Sequence, residues 1–372
     1  MSQSQKKKVT FDWNAPEVRA MVDEIVHGTF MKEGTMVAFP TCFPGATVPI
    51  PPDESRITAL DVASDGIIYG GTSGRRSHIF VGMFHGVTGM IFDLRAVDGA
   101  MRTAAVCCGK ERLFACVNFP RGGRVLAAPL QPLPFDLIQE WGFERPKFDD
   151  LGEPVAGEAI LHAVAGASRD FVAGITTHHL FAVDCRTGKA KVTGEVPGAG
   201  RIAVASKGSI VGLDGPNHLW RFDTALGTLK RHALELPKGA WDKSPLFWAR
   251  DARNGLLYTA DPDGRLFSFD EERGFSAALG RAPLAPAGPM AVTHDGRLFG
   301  FCGPELAKMF RYDPAAGDLA DLGVAVSVIE RRRYGYTFAD AATGRDGELI
   351  FGEDDEFGHL WLYFPKIQAQ RV

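Results

Sequence analysis

Cysteine is scarce in this chain, 6 in 372 residues, far too few for a disulfide scaffold of that length. Methionine is also scarce, 9 against 26 phenylalanines and 43 glycines, a balance that leans toward strands and turns over a helical bundle. No window reaches the ~18 uninterrupted apolar residues of a membrane helix, so no membrane partner is expected. Charge of one sign is lacking too: 41 Lys and Arg stand against 45 Asp and Glu, a net charge of −4. No global positive field gathers nucleic acid. The N-terminus runs Met1-Ser-Gln-Ser-Gln-Lys-Lys-Lys8 with no apolar segment behind it. It does not read as a secretory signal, and a cytoplasmic location is expected.

Sharp catalytic motifs are missing as well. There is no Gly-x-x-x-x-Gly-Lys phosphate loop and no His-Glu-x-x-His. Gly71-Thr-Ser-Gly74 is one residue short of a nucleophile elbow. Gly198-Ala-Gly200 lies between two strands with no helix behind it, which rules out a dinucleotide fingerprint. Cys107-Cys108 falls in an apolar run and is expected as core thiols, and no ligand-pair spacing supports zinc. No cofactor is predicted; a structural or catalytic metal is left open.

What is present is a globular composition, 45% hydrophobic and 23% charged, and a repeat. Its anchor is a basic residue followed by two large apolar ones: His78-Ile-Phe, Arg124-Val-Leu, His179-Leu-Phe, His218-Leu-Trp, Arg265-Leu-Phe, Lys308-Met-Phe and His359-Leu-Trp. Successive anchors lie 46, 55, 39, 47, 43 and 51 residues apart. A strand-like run precedes each, as in Ile67-Ile-Tyr-Gly70 and Leu349-Ile-Phe-Gly352. Several of those runs are entered by hairpin chemistry, as in Ser64-Asp-Gly66, Arg253-Asn-Gly255 and His294-Asp-Gly296. Units of about four short strands at this spacing predict an all-β fold, a seven-bladed β-propeller of four-stranded antiparallel blades over 34–366. The last unit supplies strands at Tyr336–Ala339, Leu349–Glu353 and His359–Phe364, and Thr35–Phe39 near the N-terminus is expected to complete it and close the ring.

Residues 1–33 are expected as a tail with a short amphipathic helix. Asn14-Ala-Pro-Glu17 resembles a capping box, and Val18, Met21, Val22, Ile25 and Val26 share one face up to Gly28. That face packs on its own propeller or on a second copy, which leaves a homo-oligomer open. Residues 367–372 are expected as a C-terminal tail.

In a propeller the innermost strands line a channel, and the loops at one rim carry function. The seven anchor residues all fall at that rim and all are basic. His179, His218 and His359, with Arg76, Trp141, Trp241, Arg332 and Tyr334 on the rim loops, are candidates for substrate binding, because aromatic faces beside cations suit sugar rings and their acidic groups. Nearer the axis lie Arg102, His162, Arg201 and Tyr336, each at the start of an inner strand. The plain alternative is that each is satisfied by local backbone or snorkels over the rim.

Two segments carry a family resemblance. Tyr69-Gly-Gly-Thr-Ser-Gly-Arg-Arg-Ser-His78 and Phe351-Gly-Glu-Asp-Asp-Glu-Phe-Gly-His359 each place a Gly and a His seven apart before a strand. This resembles the seven-bladed propeller polysaccharide lyases of the ulvan lyase and rhamnose–glucuronate lyase type. The resemblance implies cleavage beside a uronic acid by β-elimination. Such lyases use His and Tyr as acid and base groups and Arg to neutralise the carboxylate. By their expected rim position His162, His78 and Tyr336 are the acid and base candidates, and Arg102 and Arg201 the neutralisers. The partner would be an anionic oligo- or polysaccharide. Two alternatives stand beside it: a non-catalytic propeller that binds a protein or anionic glycan through the same rim, and a metal-dependent lactonase or hydrolase.

Overall fold

The computed structural model describes residues 15, 16, 19, 32–41, 50–85, 88–130, 145–241, 246–328 and 334–366. The named elements among these are β-strands and a 3-10 turn, Pro52–Glu54. The expected N-terminal helix falls, apart from Ala15, Pro16 and Arg19, outside the described residues, as do 367–372. Pro16 and Arg19 are helical, and the Arg19 N–H donates to Ala15 O at 2.9 Å.

The strands form consecutive antiparallel meanders arranged like a propeller. Five small sheets hold residues 160–195, 203–235, 249–281, 287–324, and 338–365 together with Gly34–Pro40. The rest, from Arg56 to Asp150, is one eight-stranded sheet. The expected seven separate blades are therefore not seven separate sheets. The cause is local. Ser73, ending the second strand, pairs with Arg102, opening the fifth. The Gly74 N–H donates to Met101 O at 3.0 Å and the Ser77 N–H to Ala100 O at 2.8 Å, so backbone hydrogen bonds weld two four-stranded groups at one rim.

The ring closes through the N-terminal strand. Gly34–Pro40 runs antiparallel to His359–Pro365 in unbroken register from Gly34↔Pro365 to Pro40↔His359. Met36, Val37 and Ala38 are buried there, so closure removes an edge and adds apolar burial together. The inner strand of this sheet begins at Phe338 and extends to Thr343, later than expected. The Asp354 N–H donates to Thr337 O just before it, and Tyr336 is left on the rim.

The core lies between neighbouring sheets. Phe301 stacks on Phe338 with ring centroids 3.8 Å apart, and Phe351, Trp361 and Tyr363 join Phe299 and Met309 in one apolar cluster. Within sheets, the large aromatic residue of the anchor triplet faces a glycine. Phe80, Phe181, Trp220 and Phe310 stand directly across from Gly70, Gly174, Gly212 and Gly300. A Cβ on Gly174 would lie 2.3 Å from the Phe181 ring, so the ring occupies the space that the missing side chain leaves.

Candidate functional site at the channel

The first strands of the meanders stand around a central channel. Strands 56–62, 102–108, 160–165, 203–204, 249–250, 287–292 and 338–343 all contribute to a cavity of about 400 Å³. Its walls are mostly small and apolar, as at Ala105, Ala163, Val204, Ala291 and Ala341. Polar groups gather toward its two ends.

At the end where these strands begin, Arg201 crosses the ring. Its Nη1 lies 2.7 Å from Asp340 Oδ1, its Nη2 donates to Ala339 O, and its guanidinium lies 4.6 Å from the centre of the Phe247 ring. Asp340 also accepts the Leu60 N–H at 2.8 Å. Burial raises the Asp340 carboxyl above its usual range, with Arg201 opposing. His162 sits against this bridge. Its Nδ1 accepts the Ile202 N–H at 3.3 Å, and its Nε2 is 3.5 Å from Arg201 Nη1. Both ring nitrogens thus face N–H donors, an environment that favours the uncharged ring. Burial first, then Arg201 and Arg102, hold His162 well below its ordinary value. His162 is thus held as a neutral imidazole beside Arg201 and Arg102.

Asp354 faces the same mouth. Burial raises its carboxyl, while Arg56, Arg102 and Arg201 pull it down. Its backbone is pinned to Thr337, whose hydroxyl donates to Asp354 O at 2.9 Å. Tyr336, next along, is 50% exposed, and its N–H donates to Glu353 Oε1. Three guanidinium groups, a neutral imidazole and a carboxyl of raised pKa therefore gather at one mouth, with Tyr336 exposed on the rim. Such a set can hold an anion and exchange a proton beside it.

At the opposite end a second arginine reaches across. Arg169 donates from Nη1 to Cys108 O at 3.1 Å and from Nη2 to Val62 O at 3.0 Å. Beside it Asp61 accepts the N–H groups of Cys108 and Val62 at 2.7 and 2.8 Å. Burial raises the Asp61 carboxyl, and the Arg169 charge opposes.

The anchor ring has a different character from a free ligand-binding ring. His78 is enclosed, with Nε2 2.7 Å from Glu54 and Nδ1 3.1 Å from Asp93. Arg124 pairs with Asp150, His179 with Glu158, Arg265 with Asp261, Lys308 with Asp321, and His359 with Glu353. His218 packs edge-on against His232 at 5.1 Å. Basic residues recur at this position because an acidic neighbour in the same meander or the next loop recurs with them. Arg76 is likewise held by Glu54 and Asp98. Trp241, expected on an open rim, is buried and donates from Nε1 to Pro237 O. Tyr334 forms an isolated bridge with Val326. Trp141 and Arg332 lie outside the described residues. The structure therefore brings together Arg102, His162 and Arg201, leaves Tyr336 exposed on the rim, and sets His78, His179, His218 and His359 apart from them. It adds Asp340, Asp354 and Arg56, which the repeat did not single out. A lone carboxylate inside an inner strand, as in Phe338-Ala-Asp-Ala-Ala342, was the available signal. Cys107 and Cys108 are buried free thiols. Among the described residues no cluster of three or more His, Cys, Asp or Glu is arranged to hold a metal, and no helix is long and apolar enough to cross a membrane.

No family model and no curated protein matches the sequence. Solved structures match the fold. A catalytically inactive variant of virginiamycin B lyase from Staphylococcus aureus, with quinupristin, has a TM-score of 0.61 at 10% identity, over 89% of this chain and 99% of that one. A selenomethionine-substituted form of the same lyase gives the same values. The extracellular domain of a putative hybrid two-component system from B. thetaiotaomicron has a TM-score of 0.57 at 13% identity, over 89% of this chain and 40% of that one. At such identities the likeness is one of fold alone, and the fold of this chain is that of the β-propellers.

Proposed function

We propose that this chain is a seven-bladed propeller lyase that cleaves an anionic oligo- or polysaccharide beside a uronic acid. The blade count takes the eight-stranded sheet as two blades welded at Ser73–Arg102, beside the five small sheets. One observation carries the functional proposal: Arg56, Arg102 and Arg201 surround Asp354, with the neutral His162 beside them, at one mouth of the channel. A proton α to a carboxylate is weakly acidic until that carboxylate is neutralised. Arg102 and Arg56 would hold the substrate carboxylate, with the neutral His162 beside the oxygen that gains charge. Asp354, raised toward neutrality, is matched to take the α proton. As the proton leaves, a carbon–carbon double bond forms and the β carbon–oxygen bond breaks, and the Tyr336 hydroxyl protonates the departing oxygen. The virginiamycin B lyases named above are lyases on a related fold, which is compatible with elimination chemistry at a propeller mouth.

The test is ultraviolet absorbance during incubation with a panel of uronate-containing glycans, because elimination creates a conjugated unsaturated uronate. A rising signal is expected, cut by about 100-fold or more in Arg102→Ala and in Asp354→Asn. A flat trace across the panel would overturn the lyase. Binding that persisted by calorimetry would then favour a non-catalytic receptor for anionic glycans, a second reading supported by the prior engagement of Arg201 with Asp340.

A further inference from the structure

We propose that His218 and His232, on the paired strands His218–Asp223 and Thr228–Glu235, form a site for a divalent transition metal of the zinc, copper or nickel class. The site stands apart from the channel and from the lyase proposal. It is an exception in the repeat. Six of the seven basic anchors meet an acidic partner, Glu54, Asp150, Glu158, Asp261, Asp321 or Glu353. His218 meets a second imidazole instead, with ring centres 5.1 Å apart and ring planes at 81°. Among the described residues no hydrogen bond or ion pair reaches a ring nitrogen of His218.

A bulge builds the pair. Leu219 stands across from Leu234 and Arg221 from Lys230, so Arg231, His232 and Ala233 together face Trp220. His232 takes φ 46° there, in the left-handed region that few residues other than glycine adopt. Its backbone N–H donates to Asp214 at 2.6 Å, and its Nδ1 lies 3.6 Å from the same carboxylate. Asp214 is buried and kept charged by Arg231, which donates from Nε at 3.0 Å and from Nη2 at 2.6 Å. A carboxylate behind Nδ1 is the usual support of a metal-binding imidazole and leaves Nε2 for the ion. The His232 side chain is 63% exposed, so an ion reaches it from solvent. Glu235 stands directly across from His218 and adds negative charge on the same face. Two imidazoles bound to one tetrahedral zinc, at about 2.0 Å per nitrogen, hold their ring centres roughly 5 Å apart. The observed separation matches that distance, so turning the rings about their own bonds, without moving the strands, aims both at one ion. Imidazole donors suit this class of metal. With two protein donors and no cluster of three or more among the described residues, water fills the remaining positions.

Zinc ion is the probe, titrated calorimetrically into the full chain, with the histidine rings followed by NMR. One equivalent is expected, and the His218 and His232 ring resonances should shift together. His218→Ala and His232→Ala should each weaken binding at least about tenfold, since losing a ligand costs no less than losing a group that orients it. The double variant should bind no more weakly than either single, because one histidine alone makes no chelate. Should His218→Ala fail to fold, His218→Gln is read in its place. No binding by the wild type, or binding unchanged in either variant, overturns the site. Ring shifts confined to other histidines would place the ion elsewhere and also overturn it.

Discussion

Two histidines show how far a residue's surroundings decide its chemistry. Burial opposes charge on both, but His78 lies between Asp93 and Glu54, whose hydrogen bonds and charges outweigh burial and raise its pKa. His162 faces Arg201 and Arg102, which act in the same direction as burial. The signs for stability are therefore opposite. The contribution of His78 is fully present below the unfolded value of about 6.5 and is lost as pH rises through its folded value. That of His162 is lost as pH falls below about 6.5, where the unfolded chain takes a proton that the folded chain refuses. Ring-resolved NMR titration should find the His78 midpoint above 6.5 and His162 untitrated well below it. A His162 midpoint near the ordinary value would contradict the depression that burial and the two arginines impose. Replacing His78 by Ala strips the buried Asp93 of this partner, while Glu54 keeps Arg75 and Arg76, and chemical denaturation should register a loss of roughly 3–5 kcal/mol.

Among the elements, the recurring device is an aromatic ring of the third strand lying over a glycine of the second. It explains why the repeat shows glycine in Phe171-Val-Ala-Gly174 and Ile210-Val-Gly212, each followed by an anchor that ends in Phe181 or Trp220. Phe181 is fully buried, so it has little freedom to yield to a new methyl group 2.3 Å away. Gly174→Ala should cost about 1–3 kcal/mol by overpacking, read as a shift in denaturation midpoint at unchanged slope. Adding Phe181→Leu should return part of that loss. If the double variant were no better than the sum of the two singles, ring and glycine would not be coupled. This pairing was legible in the sequence as strand-like runs before anchors, because hairpin partners are close along the chain. Which basic anchors were free was not legible, since their acidic partners range from Asp261, four residues before Arg265, to Asp150, 26 residues after Arg124.

For the whole molecule, closure is the decisive event. The first strand meets the last over seven paired positions, and side chains around the joint reinforce it: Tyr363 donates from its hydroxyl to Lys32 O, Arg311 pairs with Glu33, and the Ala38 N–H donates to Ser327 Oγ. Deleting residues 1–40 would leave His359–Pro365 as an unpaired apolar edge. The truncated chain should aggregate in size-exclusion chromatography and melt at lower temperature. A monomer with an unchanged melting temperature would show that the ring does not depend on this strand.

The sequence by itself determined the units: their spacing, their antiparallel hairpins, the closing strand, and the run of inner-strand positions that bear Arg102, His162 and Arg201. Those properties follow from alternation, turn chemistry and near-neighbour pairing, all local along the chain. Tertiary structure alone decided what the inner positions do. Arg201 and Asp340 are 139 residues apart in sequence and 2.7 Å apart in space, and Asp354 meets Arg56, Arg102 and Arg201 only at the rim. No period in the sequence encodes a contact across the ring, because that contact exists only once every inner strand has taken its place around the axis.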